Sequence, residues 1–120
     1  MKILVVDDAS TVRMYHRGIL EDAGFTVDEA VNGVEALEKA LESTFDLYVV
    51  DINMPKMDGY QFLNQLRTES IDQAPALMVS TEAEPSDLAK AYTAGANAYL
   101  VKPIRPAHLK DLLQLLAEED

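Results

Sequence analysis

Four short apolar runs each end in a residue able to do chemistry. Ile3 to Val6 runs into Asp7 and Asp8, Leu47 to Val50 into Asp51, Ala76 to Val79 into Ser80 and Thr81, and Ala98 to Val101 into Lys102 and Pro103. Three carboxylates brought to one place repel one another and raise at least one pKa unless a cation compensates. All the available ligands are oxygens, which suits Mg2+, with Mn2+ also possible, and Asp8 and Asp51 are the expected direct ligands. Calcium would need a dedicated loop of spaced acids, and no stretch of the chain has one. An aspartate beside such an ion can attack a phosphoryl donor while a lysine neutralises charge on the transferred oxygens. Asp51 and Lys102 supply those parts, and the Ser80 hydroxyl can bond a new phosphoryl oxygen and draw its loop inward. Each residue alone has an ordinary structural explanation, but four run ends carrying a complementary set form a much more specific signal.

The elements that must position these residues follow from periodicity. β-branched apolar runs alternate with amphipathic stretches five times over, adding a more polar strand at Thr26 to Glu29 that belongs at a sheet edge. Nearly all-apolar strands are covered on both faces. A first helix after Ser10 is expected to bury Val12, Ile19, Leu20 and Ala23. A second after Asn32, whose spacing to Glu35 resembles a capping box, is expected to bury Val34, Leu37 and Leu41. Asp58 and Gln61 flank the start of a third carrying Phe62, Leu63 and Leu66. A fourth, from about Ser86 to Ala94, has a thin apolar face and is closed by Gly95. Pro106 opens a fifth with Leu109, Leu112, Leu113 and Leu116. A helix after every strand predicts a doubly wound α/β fold with a parallel sheet and helices on both faces. Ligands of such sheets bind at the carboxyl ends of the strands, where every polar residue named above lies.

The chain has 120 residues, 48% of them apolar, which is enough for one domain with a core of its own. Ten basic against 21 acidic residues give a formal charge of −11, which repels nucleic-acid phosphates and anionic lipid, so neither nucleic acid nor membrane is an expected partner. The absence of cysteine fits a reducing compartment, and the N-terminal apolar run is too short for a signal peptide or membrane span, so the expected location is cytoplasmic.

The segments Val5-Val6-Asp7-Asp8, Val50-Asp51-Ile52-Asn53-Met54-Pro55, Met57-Asp58-Gly59, Val79-Ser80 and Val101-Lys102-Pro103 resemble the response-regulator receiver family. The resemblance extends over essentially the whole chain and is strongest to the single-domain regulators of bacterial chemotaxis. It implies a flavodoxin-like (βα)5 fold of strand order 2-1-3-4-5. It also implies that Asp51 is the phosphoacceptor and that Asp7 and Asp8 are the acidic pair holding the metal. The Asn53 backbone carbonyl would complete the coordination, Ser80 would be the hydroxyl switch and Lys102 the phosphate-binding lysine, preceding a cis Pro103. Tyr99 matches an aromatic that moves with the hydroxyl, linking the site to the face of the fourth helix, fifth strand and fifth helix. Ala91, Tyr99, Ile104, Arg105 and His108 are the candidate docking residues there. The family's phosphodonor is a histidine kinase, and a flagellar motor switch component or a signalling kinase is the kind of output partner implied. The chain is expected to act as a monomer and as a single receiver domain over 1–120, with no output domain after Glu118-Glu119-Asp120.

Thr81 stands where the family usually has a smaller residue, and Asn53 and Glu82 flank the same site, so all three are expected to modulate phosphorylation and dephosphorylation kinetics. His16 and His108 are expected to lie away from the active rim, in surface or packing roles. Two rival functions remain. A magnesium-dependent phosphatase would need a second acid two residues after its nucleophile, where this chain has Asn53, so turnover of free phosphoesters is not expected. A docking module with a non-functional site would not need the full set of acids, hydroxyl and lysine.

Overall fold

A computed structural model describes residues 1–117, in which strands and helices alternate. They are β1 Lys2–Val6, α1 Ser10–Asp22, β2 Thr26–Ala30, α2 Gly33–Glu42, β3 Leu47–Asp51, α3 Gly59–Leu66, β4 Ala76–Ser80, α4 Pro85–Ala94, β5 Ala98–Val101 and α5 Pro106–Ala117. The expectation about the acidic end of the chain concerns residues 118–120, which lie outside the described residues. The strands form one parallel sheet of order β2-β1-β3-β4-β5, with the more polar β2 at an edge as its composition predicts.

Alternation along each strand sends successive side chains to opposite faces and so builds two cores. Leu4, Val6, Tyr48, Val50, Ala76 and Met78 face α2, α3 and α4, where Phe62, Leu63 and Leu66 are fully buried. Ile3, Val5, Leu47, Val49, Leu77 and Val79 face α1 and α5, where Ile19, Leu20, Leu109 and Leu113 are buried. Strands so covered cannot slip register without exposing a whole apolar set, which fixes where each strand ends.

The buried face of α2 departs from the sequence expectation. Val34 and Leu41 are exposed and Leu37 is only partly covered, while Gly33, Ala36 and Ala40 face the core. The small residues allow close approach: a Cβ on Gly33 would sit 2.6 Å from the Met57 carbonyl oxygen. Val12 in α1 and Ala23 just past its end are half-buried rather than buried, and His16 takes a place on the core face.

Helix ends follow local chemistry. Asn32 accepts the Glu35 N–H at 2.9 Å, while Asp58 and Gln61 form a reciprocal capping box at 2.9 and 3.0 Å. Pro85 opens α4, and Gly95, at φ 116°, closes it in a left-handed conformation. Arg67, just past α3, donates to the carbonyls of Gly95 and Ala74 and to the side chains of Gln73 and Asn97, tying α3 to the α4–β5 turn.

Candidate functional site

Register places the chemistry. Val6 pairs with Val50, Asp51 with Val79, and Ser80 with Val101, so Asp7, Asp51, Ser80 and Lys102 come side by side at the carboxyl rim of β1, β3, β4 and β5. Asp51 and Ser80 are the last residues of their strands and not the first of their loops. Strand placement holds both more rigidly than a loop would. Behind Asp51 the chain turns sharply: Gly59 donates to the Ile52 carbonyl at 2.8 Å, and a Cβ at Gly59 would lie 2.5 Å from the Asp51 carbonyl oxygen.

Asp7, Asp8 and Asp51 each offer a carboxylate oxygen within 4.8 Å of the others, with Asp7 and Asp51 buried and Asp8 exposed. Lys102 bridges two of them, its Nζ donating to Asp51 Oδ1 at 2.9 Å and to Asp7 Oδ2 at 3.3 Å. The second Asp7 oxygen accepts the Ala9 N–H at 2.9 Å. Burial pushes the Asp51 pKa up, opposed by the Lys102 bond and reinforced by Asp7 and Asp8. Burial alone would lower Lys102, but its bonds to Asp51 and Asp7 prevail and raise it. Lys102 therefore stays a cation, while burial holds Asp51 above the ordinary carboxylate value. Three carboxylates and one ammonium leave two uncompensated negative charges, which one divalent cation would balance. The donor set is all oxygen and partly open to solvent, fitting a hard ion that keeps some of its water.

Ser80 and Tyr99 meet through one residue, each holding one of the two peptides that flank the Glu82 Cα. Ser80 Oγ accepts the Glu82 N–H at 3.1 Å, and the Tyr99 hydroxyl donates to the Glu82 carbonyl at 2.9 Å. The sequence singles out Glu82 as a residue flanking the site that modulates kinetics, and the link to Ser80 and Tyr99 runs through its main chain. Main-chain roles leave no trace in residue type. The Lys102-Pro103 bond is cis, as the family resemblance implies.

The remaining predicted residues divide. Asn53, Thr81 and Glu82 are exposed around the mouth of the site. On the docking face, Arg105 and His108 are exposed and Tyr99 half-buried, but Ala91 is 0% and Ile104 5% exposed. Ala91 thus packs beneath that face and offers it no side chain, and Ile104 only floors the shallow hollow between Tyr99 and His108. His16 takes the packing role expected of it but lies nearer the rim than expected. It is buried, and it lines a cleft of about 350 Å³ with Val12, Tyr15, Thr81, Ile104 and Lys102, so it backs the active rim. Burial lowers its pKa, with Asp7 acting against that and Lys102 with it. The apolar spacing of α1 hides this, because a histidine on a core face looks like any other polar interruption.

Comparison with known proteins agrees with this geometry. The model of the response regulator receiver domain matches residues 3–114. The chain therefore belongs to the response-regulator receiver family. Chemotaxis protein CheY-3 of Vibrio cholerae serotype O1 is 41% identical over 120 residues, covering 98% of this chain and 92% of that protein. Chemotaxis protein CheY of Pseudomonas aeruginosa is also 41% identical, covering 98% and 97%. Among solved structures, chemotaxis protein CheY4 of Vibrio cholerae superposes with a TM-score of 0.90 at 39% identity, covering 96% of this chain and 97% of that one. The receiver domain of the sensor histidine kinase PA1611 from Pseudomonas aeruginosa, solved with a magnesium ion in its active-site cleft, gives 0.90 at 26% identity, covering 97% and 96%.

Proposed function

We propose that this receiver domain is a phosphorylation switch that takes a phosphoryl group onto Asp51, with Mg2+ held by Asp7, Asp8, Asp51 and the Asn53 backbone carbonyl. The observation that carries the reading is the Lys102 bridge between two buried aspartates within an acidic cluster left two charges short of balance. That arrangement is wasteful in a purely structural site, because unbalanced buried carboxylates destabilise the fold. A bound magnesium ion would neutralise charge on the phosphoryl oxygens during transfer.

The chain's own residues do the rest. A carboxylate oxygen of Asp51 attacks phosphorus as the donor's bond to phosphorus breaks. Lys102, already fixed over Asp51, is placed to neutralise a phosphoryl oxygen. Ser80 then turns its hydroxyl toward the phosphoryl group and gives up the Glu82 N–H, which loosens the residue whose carbonyl Tyr99 holds. The β4–α4 loop and the face bearing Tyr99, Arg105 and His108 change together. The output is a protein contact, and the domain handles one phosphoryl group at a time without turning over a free substrate.

A phosphohistidine protein of a histidine kinase is the donor this reading requires. The full-length similarity to chemotaxis proteins favours a motor-switch component or signalling kinase as the output partner. No helix among the described residues is long and apolar enough to cross a membrane, in keeping with a cytoplasmic place in such a relay. The test is intact mass after incubation with acetyl phosphate. One phosphoryl group should appear with Mg2+, vanish with chelator, and be absent in Asp51→Asn. A mass unchanged under every small donor would favour the docking-module reading.

A further inference from the structure

Asp7 is where β1 leaves the sheet. Its N–H still bonds the Ala30 carbonyl at 3.1 Å, but the chain turns there into α1, so its own carbonyl has no strand to pair with. Arg13 fills that place. Its Nη1 donates to the Asp7 carbonyl at 2.7 Å while its Nε donates to Glu29 on β2 at 3.0 Å. Glu29 is in turn held by Arg17 at 2.6 Å. The Arg13 side chain is only 14% exposed, so this contact is better shielded than an ordinary surface pair.

Fixing the Asp7 carbonyl fixes the peptide plane between Asp7 and Asp8, and with it the direction in which Asp8 projects. The Asp7 carboxylate is aimed by Ala9 and Lys102, whereas no side-chain hydrogen bond among the described residues aims that of Asp8. Its placement therefore depends on the backbone. Glu29 matters for a second reason. It neutralises the Arg13 guanidinium, so the loop is gripped without a bare positive charge being set beside a cation site.

We propose that Arg13, braced by Glu29, is a positioning residue for the divalent-cation site, holding the Asp7-Asp8 peptide so that Asp8 points at the ion. The proposal rests on the reading of Asp7, Asp8 and Asp51 as that site. Residues that orient metal ligands typically change affinity by about 10- to 100-fold when removed.

The experiment measures Mg2+ binding by calorimetry on protein free of phosphodonor, and separately the rate of Asp51 phosphorylation by acetyl phosphate against Mg2+ concentration. Wild type, Arg13→Met, Arg13→Lys, Glu29→Gln and Phe45→Leu are compared. Phe45 is buried beside the start of β3, at the opposite rim, and reports on lost stability alone. Arg13→Met should weaken Mg2+ about tenfold or more, with a rate at saturating Mg2+ that returns to within about twofold of wild type. Arg13→Lys should recover part of the affinity, Glu29→Gln should weaken it several-fold, and Phe45→Leu should lower Tm with affinity unchanged. Wild-type affinity in Arg13→Met, or weakening in every variant in proportion to its lost stability, overturns the proposal. Should Arg13→Met not fold, wild-type affinity in Glu29→Gln overturns it equally. A wild type that binds no Mg2+ overturns the cation-site reading itself, and so is told apart from a failure of Arg13 alone.

Discussion

Burial in the folded chain penalises the ionised form of Asp51, and the Lys102 bond offsets this only in part. A carboxyl whose pKa is higher in the folded than in the unfolded state lends stability below its unfolded pKa and loses it as pH rises through the folded value. Without Mg2+, Asp51→Asn should therefore have a higher Tm than wild type at neutral pH. The gap should close as pH falls below the ordinary carboxylate range, and thermal melts across pH check both signs. Thr81, exposed at the mouth of the site and lining the cleft beside Lys102, adds bulk next to the proposed phosphoryl position. Thr81→Ala should change the phosphorylation or hydrolysis rate with little change in stability, and indistinguishable rates in stopped-flow assays would remove Thr81 from the account. Much of this scale was legible, because Asp7, Asp51, Ser80 and Lys102 end four apolar runs with a complementary set, although each alone has an ordinary reason to follow a strand. The burial of His16 and the main-chain role of Glu82 were not, since neither depends on a distinctive side-chain pattern.

At the level of elements, the site depends on close approaches that small residues permit, whereas Arg67 ties the fold together at the opposite rim. A methyl group at Gly59 would overlap the Asp51 carbonyl oxygen, so Gly59→Ala should cost about 1–3 kcal/mol and also slow phosphorylation, because α3 can relieve the overlap only by moving the end of β3. Arg67→Ala should cost on the order of 2 kcal/mol, since the carbonyls of Gly95 and Ala74 lose a charged donor, yet leave Mg2+ affinity unchanged at the opposite rim. Urea denaturation with a parallel Mg2+ titration separates the two variants. The strands could be read almost to the residue because a covered parallel strand has one long apolar signature. The buried face of α2 could not. Periodicity finds large apolar residues, whereas Ala36 and Ala40 are selected by how near the helix must lie to the sheet.

For the whole molecule, binding at the acidic rim couples to the stability of the entire fold. A ligand that binds only the native state adds about 2.7 kcal/mol at a hundred times its Kd, so Mg2+ should raise the wild-type Tm and raise that of Asp8→Asn much less. The net charge of −11 makes that acidic rim part of a broadly anionic surface, and retention on DNA at physiological salt should be negligible. Strand order, two-sided core and rim chemistry all serve one claim, that the phosphoryl group is carried by Asp51 and by no neighbouring acid or hydroxyl. Borohydride reduction of the protein after acetyl phosphate and Mg2+, followed by peptide mapping, tests it directly, because reduction converts a phosphorylated aspartate into homoserine. Homoserine at position 51 alone is the predicted result. Homoserine at position 7 or 8, or a stable phosphate on Ser80 or Thr81, would contradict the account.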